Sequence, residues 1–211
     1  MRRASNAAGM KKTLDEHAAR FDDVAAEYDD DQTPEYNECV ALVLEHAAPE
    51  SAATVLDLGC GTGAIALALA EDAGRVVGRD ISDGMMEQAR EKAESQGIEN
   101  VEFGEGRFRA PNVDSADVVV SNFAMHHLSD EEKREAIEAI AELGPRKFVL
   151  GDVMFFGTPD PDEPFYSPEV DDPSTVGHLA DALTEAGFAL TAVEKVHEQV
   201  GVLVAERGNG E

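Results

Sequence analysis

The fold of this chain is indicated most clearly by the segment Val55-Leu56-Asp57-Leu58-Gly59-Cys60-Gly61-Thr62-Gly63. Its first residues are typical of a buried strand, and the glycines allow a sharp turn into a following helix. The free N–H groups at the start of a helix suit a carboxylate or a phosphate. Asp57 lies near the end of the strand, where a buried carboxylate is costly unless a cationic amino group pairs with it. The stretch therefore indicates a ligand that carries both an amino group and a carboxylate.

Strands and helices alternate along the chain from this turn onwards. The predicted strands are Thr54–Leu58, Arg75–Arg79, Val101–Phe103, Asp117–Asn122 and Lys147–Asp152, and the predicted helices are Ala64–Ala73, Gly84–Ser95, Asp130–Glu142 and Ser174–Ala186. Two more strands, Phe188–Val196 and Glu198–Glu206, are joined so tightly that we expect an antiparallel pair. The alternation predicts an α/β fold, a Rossmann-like three-layer sandwich with a mostly parallel seven-stranded sheet whose last two strands are that antiparallel pair.

The remaining segments are predicted to be a helical cap and a long loop. Residues 1–50 form the N-terminal helical cap, with one helix within residues 12–27 and a second that begins after Thr33. Residues 51–211 form the Rossmann-like core, and the two parts make one structural domain. The Pro- and Asp-rich stretch 157–173 is predicted to be a loop of the length found in lids and binding segments.

The chain is strongly acidic, with 44 acidic residues against 17 basic ones and a formal net charge of −27 at pH 7. The acids are spread over nearly every predicted helix. That distribution favours a cytosolic protein of a halophile, whose charges molar salt screens, over an acidic interaction surface. No basic stripe is present to follow a nucleic-acid backbone, so we expect no nucleic-acid partner.

The same composition predicts a cytoplasmic protein. No apolar run approaches the ~20 residues that a membrane helix needs, so we expect no membrane contact. The basic N-terminus Met1–Asn6 is not followed by the apolar region of a secretory signal. Cys39 and Cys60 form no disulfide framework and no metal spacing, and we expect both to be reduced and buried or packed near the site.

A second acid ends the next strand, in the sequence Val77-Gly78-Arg79-Asp80-Ile81. Ligands of open parallel sheets bind beyond the carboxyl ends of the strands, so Asp80 is expected beside the glycine turn. Asp80 follows the turn at about the interval at which an acid binds ribose hydroxyl groups, and Ile81 would then lie against an adenine. The turn reads G-x-G-x-G rather than the dinucleotide G-x-G-x-x-G, which argues against a nicotinamide-dependent dehydrogenase.

Three segments together resemble the class I S-adenosylmethionine-dependent methyltransferases: Val55–Gly63, the run from Gly78 to Met86, and Val119–Leu128. The resemblance covers about residues 20–206 and is closest to the small-molecule branch. It implies S-adenosyl-L-methionine as the cofactor and a small-molecule methyl acceptor. The cofactor-binding residues that we predict are Tyr28, Asp57, Gly59, Cys60, Gly61, Asp80, Ile81, Met85, Arg107, Phe108, Asn122 and Phe123.

The resemblance also implies roles for several of these residues. Asp57 and the turn glycines hold the methionine part, Asp80 binds the ribose, and Asn122 and Phe123 line the floor near the sulfonium. The sequence departs from the family at Arg107, where the family has an acid that binds the adenine amino group. Arginine has no acceptor for that bond, which leaves backbone contacts around Phe108, stacking on Arg107, or a displaced Glu105 to hold the adenine.

His126 and His127 follow the fourth predicted strand. One interpretation is a general base for a hydroxyl, thiol or amine, and the other is a hydrogen-bonded histidine that shapes the loop. We take His127 and Asn122 as the catalytic candidates. We predict no metal site, because no third histidine or nearby cysteine accompanies the pair.

The sequence as a whole predicts a methyltransferase that acts on a small molecule such as a quinone-type ring, a carboxylate or a thiol. The alternative is a non-catalytic protein that binds S-adenosylmethionine or S-adenosylhomocysteine. Either could be a monomer or a homodimer.

Overall fold

A computed structural model describes residues 13–30, 32–159 and 164–208 of the chain. The strands are β1 (Thr54–Leu58), β2 (Arg75–Asp80), β3 (Val101–Glu105), β4 (Val118–Asn122), β5 (Lys147–Phe155), β6 (Ser174–Thr175), β7 (Ala189–His197) and β8 (Val200–Glu206). The helices are α1 (Leu14–Val24), α2 (Pro34–Ala47), α3 (Ala64–Leu69), α4 (Asp83–Gln96), α5 (Asp130–Glu142) and α6 (Val176–Glu185), with a 3-10 turn at Met125–His127.

The sheet runs in the order β3-β2-β1-β4-β5-β8-β7, and the two-residue β6 adds to the end of β5. Neighbouring strands from β3 to β5 are parallel, whereas β8 is antiparallel to both β5 and β7. The predicted α/β fold, with its mostly parallel seven-stranded sheet and final antiparallel pair, is confirmed. The short β6 is an addition to the prediction.

Helices cover both faces of the sheet because successive strand residues point to opposite faces. In β1, Val55 packs in a cluster with α2 and α3, and Leu56 packs in a second cluster with α5 and α6. The buried face of α2, which includes Cys39 and Val43, belongs to the same cluster as Val55. The division of the chain at residue 50 into cap and core stays a prediction.

Helix α3 is shorter than predicted and ends at Leu69 instead of Ala73. The side-chain amide of Asn100 donates to the carbonyl oxygens of Ala70 and Ala73, at 2.8 and 3.0 Å. These carbonyls are held by a residue from a distant part of the chain, and the backbone turns there towards β2.

Two elements after the fourth strand also differ from the prediction. Strand β5 continues past Asp152 to Phe155, because β8 and β6 supply backbone partners for its last residues. Helix α6 begins at Val176 rather than Ser174, because Thr175 is its N-cap and its side chain accepts a hydrogen bond from the first turn.

Helix α1 and the segment after it are fastened to the edge of the sheet where β1 and β2 end. Asp22 Oδ1 accepts hydrogen bonds from Ser82 Oγ (2.6 Å) and Gly84 N (2.9 Å) at the start of α4. Asp29 Oδ1 accepts one from Thr62 Oγ1 (2.7 Å) in the glycine turn. The N-terminal part therefore closes over the carboxyl ends of the strands.

Both cysteines are buried free thiols, as predicted. In the part of the chain that the structure describes, no helix is long and apolar enough to cross a bilayer. The N-terminal segment Met1–Asn6 lies outside the described residues, as do residues 160–163 of the predicted loop.

Candidate functional site

The glycine turn after β1 has a backbone that side chains would disrupt. Gly59, Gly61 and Gly63 all have positive φ angles, of +71°, +50° and +85°. A Cβ on Gly59 would lie 2.4 Å from the Cβ of Ala124, so the turn packs directly against the segment that follows β4. The N–H of Gly59 donates to the carbonyl of Arg79 at 2.8 Å, which ties the turn to the end of β2.

Asp80 fixes this arrangement from the end of β2. Its Oδ2 accepts the N–H of Gly61 at 2.8 Å, and its Oδ1 accepts those of Ile81 and Ser82 at 2.7 and 2.9 Å. Burial raises the pKa of Asp80, and the three N–H donors oppose that rise. Because a carboxylate offers about four acceptor positions, Asp80 retains capacity for a ligand hydroxyl group.

Asp57 is a buried carboxyl group near the end of β1, only 2% exposed. Burial, and then the charge of Asp80, raises the pKa of Asp57 to about 7, while a backbone hydrogen bond from Ala66 acts in the opposite direction. Among the described residues, no cationic side chain pairs with Asp57. A buried carboxyl without a cation fits the amino group of an amino-acid ligand.

A cavity of about 600 Å³ opens beside the turn and brings nearly all the predicted site residues together. The predicted residues that line it are Tyr28, Gly59, Cys60, Gly61, Asp80, Ile81, Met85, Arg107, Phe108, Asn122, Phe123 and His127. Asp57 lies outside this lining, in a small recess that it shares with Tyr36, Gly59, Cys60 and Asn122. The recess joins Asp57 to residues of the cavity wall, and the roles of all these residues stay predictions.

Asn122 ends β4 with its side-chain oxygen and nitrogen both buried and without a hydrogen-bond partner. Gly151 of β5 makes the room, since a Cβ there would lie 2.3 Å from Asn122 Oδ1. Phe123 follows with a φ of +52°, a strained backbone for an aromatic residue. Unpaired polar atoms on a cavity wall, next to a strained residue, are typical of a ligand-binding position.

The two histidines after β4 each pair with an aspartate from elsewhere in the chain. His126 Nδ1 lies 2.5 Å from Asp152 Oδ1, and His127 Nδ1 lies 2.8 Å from Asp171 Oδ1. Asp171 Oδ2 in turn accepts the N–H of Ser167 at 2.8 Å. His127 lines the cavity, whereas His126 is not part of the lining. Of the two histidines, His127 is therefore the one that faces the cavity.

The protonation of His127 follows from these contacts. Burial lowers the pKa of His127, and the hydrogen bond with Asp171 opposes that fall. Burial would raise the pKa of Asp171, but the His127 hydrogen bond and the charge of His126 bring it below its ordinary value. A neutral imidazole beside an ionised carboxylate is the result.

His126, His127 and Asp171 form a histidine–aspartate cluster whose nitrogen and oxygen atoms lie within 4.8 Å of one another. The sequence did not suggest this grouping, because Asp171 comes from the distant segment 164–173. The His127–Asp171 hydrogen bond explains why two of these three side chains lie close together. The predicted absence of a metal stays a prediction.

Two tyrosines of the N-terminal part, the predicted cofactor-binding residue Tyr28 and also Tyr36, both line the cavity. Burial raises the pKa of each phenol, and nearby carboxylates, Asp80 for Tyr28 and Asp57 for Tyr36, raise it further. Both hydroxyl groups therefore stay protonated and available as donors at neutral pH.

Arg107 stands at the rim of the cavity. Its side chain is 52% exposed, and its Nη2 lies 3.7 Å from Glu105 Oε1. The backbone of Arg107 forms a pair of hydrogen bonds with Ala110, both of 3.0 Å. This position suits stacking over the edge of a bound ring better than recognition of its amino group.

Sequence reasoning missed the residues that complete the wall. His17 of α1 lines the cavity, and its helical spacing on the inward face of α1 was the available signal. Arg109 and Glu132 also line it, and nothing in their local sequence marks them. Asp171 was not predicted as a site residue, because it lies in a stretch with several other aspartates.

Comparison with known proteins agrees with this geometry. A family model for a methyltransferase domain matches residues 55–144. An uncharacterized methyltransferase of Bacillus pumilus is 30% identical over 196 residues, which cover 89% of this chain and 86% of that protein. Another, of Exiguobacterium sibiricum, is 33% identical over 143 residues, which cover 64% of this chain and 65% of that protein.

A solved structure shares the fold. Magnesium protoporphyrin IX methyltransferase from Synechocystis PCC 6803, with bound S-adenosylmethionine, superimposes with a TM-score of 0.71 at 20% identity, over 97% of this chain and 100% of that chain. Taken with the relative from Bacillus pumilus, these findings assign the chain to the class I S-adenosylmethionine-dependent methyltransferase family. S-adenosylmethionine is the cofactor of this family, and the orphaned carboxyl of Asp57 and the unpaired amide of Asn122 fit it.

Proposed function

We propose that this protein is an enzyme that transfers the methyl group of S-adenosylmethionine to a small-molecule acceptor. The observation that carries the proposal is the single cavity whose lining includes both the glycine turn with Asp80 and the pair Asn122 and His127. A candidate cofactor-binding region and a candidate proton acceptor thus line the same cavity.

The recess and the turn would hold the methionine part of the cofactor. Asp57 would pair with the amino group, which removes the cost of its unpartnered carboxylate. The hydroxyl groups of Tyr28 and Tyr36 would donate to the carboxylate, together with the N–H groups at the start of α3. These contacts would put the methionine part between β1 and the segment that follows α1.

Residues at the end of β2 and after β3 would hold the nucleoside. Asp80 retains an acceptor position for a ribose hydroxyl group. Ile81 and Phe108 supply apolar surface for the adenine, Met85 lies beside them on the wall, and Arg107 covers the open edge.

The residues after β4 would act on the acceptor. When bound, the cofactor supplies an electrophilic methyl group, so the protein has to orient a nucleophile, exclude water and accept a proton. Asn122 and Phe123 would orient the reacting groups. His127 would accept the proton at Nε2, because the Asp171 hydrogen bond assigns the hydrogen to Nδ1.

Two features support a small acceptor. Helix α1 covers the cavity, with Leu14, His17 and Phe21 on the wall, which restricts access for a polymer. The net charge of −27 repels nucleic acid. The dispersed acids also support function in the cytosol of a halophile, because molar salt screens their mutual repulsion.

The test combines binding with transfer in molar KCl. S-adenosylhomocysteine is titrated by calorimetry, and radiolabelled methyl from S-adenosylmethionine is followed into fractions of a cell extract. We expect binding and label in the small-molecule fraction. Binding without label in any fraction would favour the non-catalytic binding protein, and label in protein or nucleic acid would contradict a small acceptor.

Variants link the transfer to the cavity. His127→Gln is expected to lower transfer at least tenfold while it leaves the affinity for S-adenosylhomocysteine within about twofold. His178→Gln is the matched control, because His178 is a histidine of α6 that does not line the cavity. Equal losses in the two variants would contradict a role for His127.

A further inference from the structure

The wall built by α1 and by the turn after β4 is mostly aromatic and aliphatic. We call this wall the acceptor pocket and define it by Leu14, His17, Phe21, His127 and Leu128. The ring centroids of His17 and His127 lie 5.0 Å apart, and those of Phe21 and His127 lie 5.5 Å apart. Rings at these separations present faces and edges on which another ring can pack.

The charged groups next to the acceptor pocket compensate one another. Arg109 lies 3.4 Å from Glu132 (Nη2 to Oε1) and 2.6 Å from Glu135 (Nη1 to Oε2), and Arg107 lies 3.7 Å from Glu105. Both arginines among the described residues that line the cavity are therefore already paired with acids when a carboxylate acceptor meets them. The overall negative charge adds to the repulsion of an anion, so an uncharged acceptor fits best.

His127 restricts the kind of nucleophile further. Its Nδ1 hydrogen bond to Asp171 leaves Nε2 as the proton acceptor, and burial lowers the pKa of His127, so the imidazole is neutral near pH 7. A neutral imidazole is far better matched to a phenolic hydroxyl, with a pKa of about 10, than to an aliphatic alcohol. A carboxylate is already ionised and an aromatic amine is neutral with a free electron pair, so neither has to lose a proton before it attacks. An aliphatic amine is a cation at neutral pH and falls outside the class of uncharged acceptors.

From the aromatic walls, the paired charges and the oriented base, we infer that the acceptor is a small, uncharged aromatic ring that carries a hydroxyl group. The inference rests on the proposed methyl transfer. The ring packs against Phe21 and His17, and its hydroxyl group donates to His127 Nε2. As the oxygen bonds to the methyl carbon, the electron pair of the broken carbon–sulfur bond stays on sulfur and the hydroxyl proton passes to Nε2. The products are an aryl methyl ether and a thioether.

The test is a panel of ring compounds of matched size, assayed with labelled S-adenosylmethionine in molar KCl. The panel contains 4-methylcatechol, 4-methylbenzoate, 4-methylaniline, 4-methylthiophenol and 4-methylcyclohexanol. We expect kcat/KM for the catechol to exceed that for every other member at least tenfold. Preferential label in any other member would overturn the inferred class and leave methyl transfer standing.

Two further outcomes separate this inference from the proposed function. If no panel member is labelled while label enters the small-molecule fraction of a cell extract, the aromatic class is wrong and the proposed function stands. If S-adenosylhomocysteine binds and no label enters either the panel or the extract, the proposed function itself fails.

A variant tests the role of Asp171 as a positioning residue for His127. Asp171 raises the pKa of His127, so Asp171→Asn should move the rising limb of the pH–kcat profile for the catechol to lower pH and lower the plateau. A purely structural role would lower the plateau without moving the limb. Glu169→Gln, at an exposed position of the same segment, is the matched control and should change neither. An unmoved limb in Asp171→Asn would overturn the pairing of His127 with this acceptor.

Discussion

Replacement of Asp57 by asparagine tests whether this carboxyl receives the amino group of the cofactor. The Asp57 carboxyl is buried without a cation, and its pKa is raised from 3.8 to about 7, first by burial and second by the charge of Asp80. Ionised Asp57 therefore destabilises the ligand-free protein. Asparagine has nearly the same shape and cannot ionise, so it isolates the charge.

The magnitude follows from the difference between the folded and unfolded pKa. The folded state holds the Asp57 proton more tightly than the unfolded chain, so the corresponding stability is present below pH 3.8 and is lost as the pH rises through about 7. The shift corresponds to about 4 kcal/mol in total, of which roughly 3 kcal/mol falls between pH 5 and pH 8. We expect the free energy of unfolding of the wild type, relative to Asp57→Asn, to fall by that amount over this range.

The assay is urea unfolding of both proteins in molar KCl at pH 5, 6, 7 and 8. High salt screens the surface carboxylates but barely affects a buried group, so the difference between the two proteins reports Asp57. A difference that stays constant within about 1 kcal/mol would contradict a raised pKa for Asp57. In calorimetry the variant should bind S-adenosylhomocysteine about 10- to 100-fold more weakly, because a charge-assisted hydrogen bond is lost.

Three further predictions concern the turn, the N-terminal helix and the histidine–aspartate cluster. Gly59→Ala should destabilise the protein by about 3 kcal/mol, because the φ of Gly59 is +71° and the added Cβ would meet Ala124. Gly97→Ala is the control, with a φ of +68° and open space around it, and should destabilise the protein by only about 1 kcal/mol. Equal losses of stability in urea unfolding would contradict the packing of Gly59 against Ala124. Asp22→Ala removes two hydrogen bonds to the start of α4 and should speed the dissociation of S-adenosylhomocysteine several-fold in stopped-flow displacement, and Asp23→Ala, an exposed neighbour, should leave it unchanged. Excess EDTA should leave methyl transfer unaffected, and a loss of activity that added Zn²⁺ restores would show that the histidine–aspartate cluster holds a metal.

Local sequence was enough to predict that the glycine turn and the acids at the ends of β1 and β2 lie at one edge of the sheet. The strand, the glycine turn and the two strand-end acids Asp57 and Asp80 are adjacent in short segments, and parallel strands bring their carboxyl ends to one edge. The structure adds that Asp80 also holds the turn, through the N–H of Gly61. It also places Asp57 in a side recess instead of the main cavity.

The acceptor pocket depends on contacts between segments that are distant in the sequence, so its residues could not be predicted from local sequence. His127 pairs with Asp171, 44 residues later, in a stretch where several aspartates look alike. His17 reaches the cavity because Asp22 fastens α1 to α4, a contact across 60 residues to Ser82. The early end of α3 has the same origin, since Asn100 binds the carbonyls of Ala70 and Ala73, just beyond the helix, from 30 and 27 residues away.

A crystal structure of the complex with S-adenosylhomocysteine, grown in molar KCl, would show whether the cofactor binds at the strand ends of β1 and β2. We expect the amino group within hydrogen-bonding distance of Asp57, the ribose hydroxyl groups at Asp80, and the sulfur facing the space between Asn122 and His127. A ligand bound elsewhere, or a nucleoside that does not contact Asp80, would contradict this cofactor site.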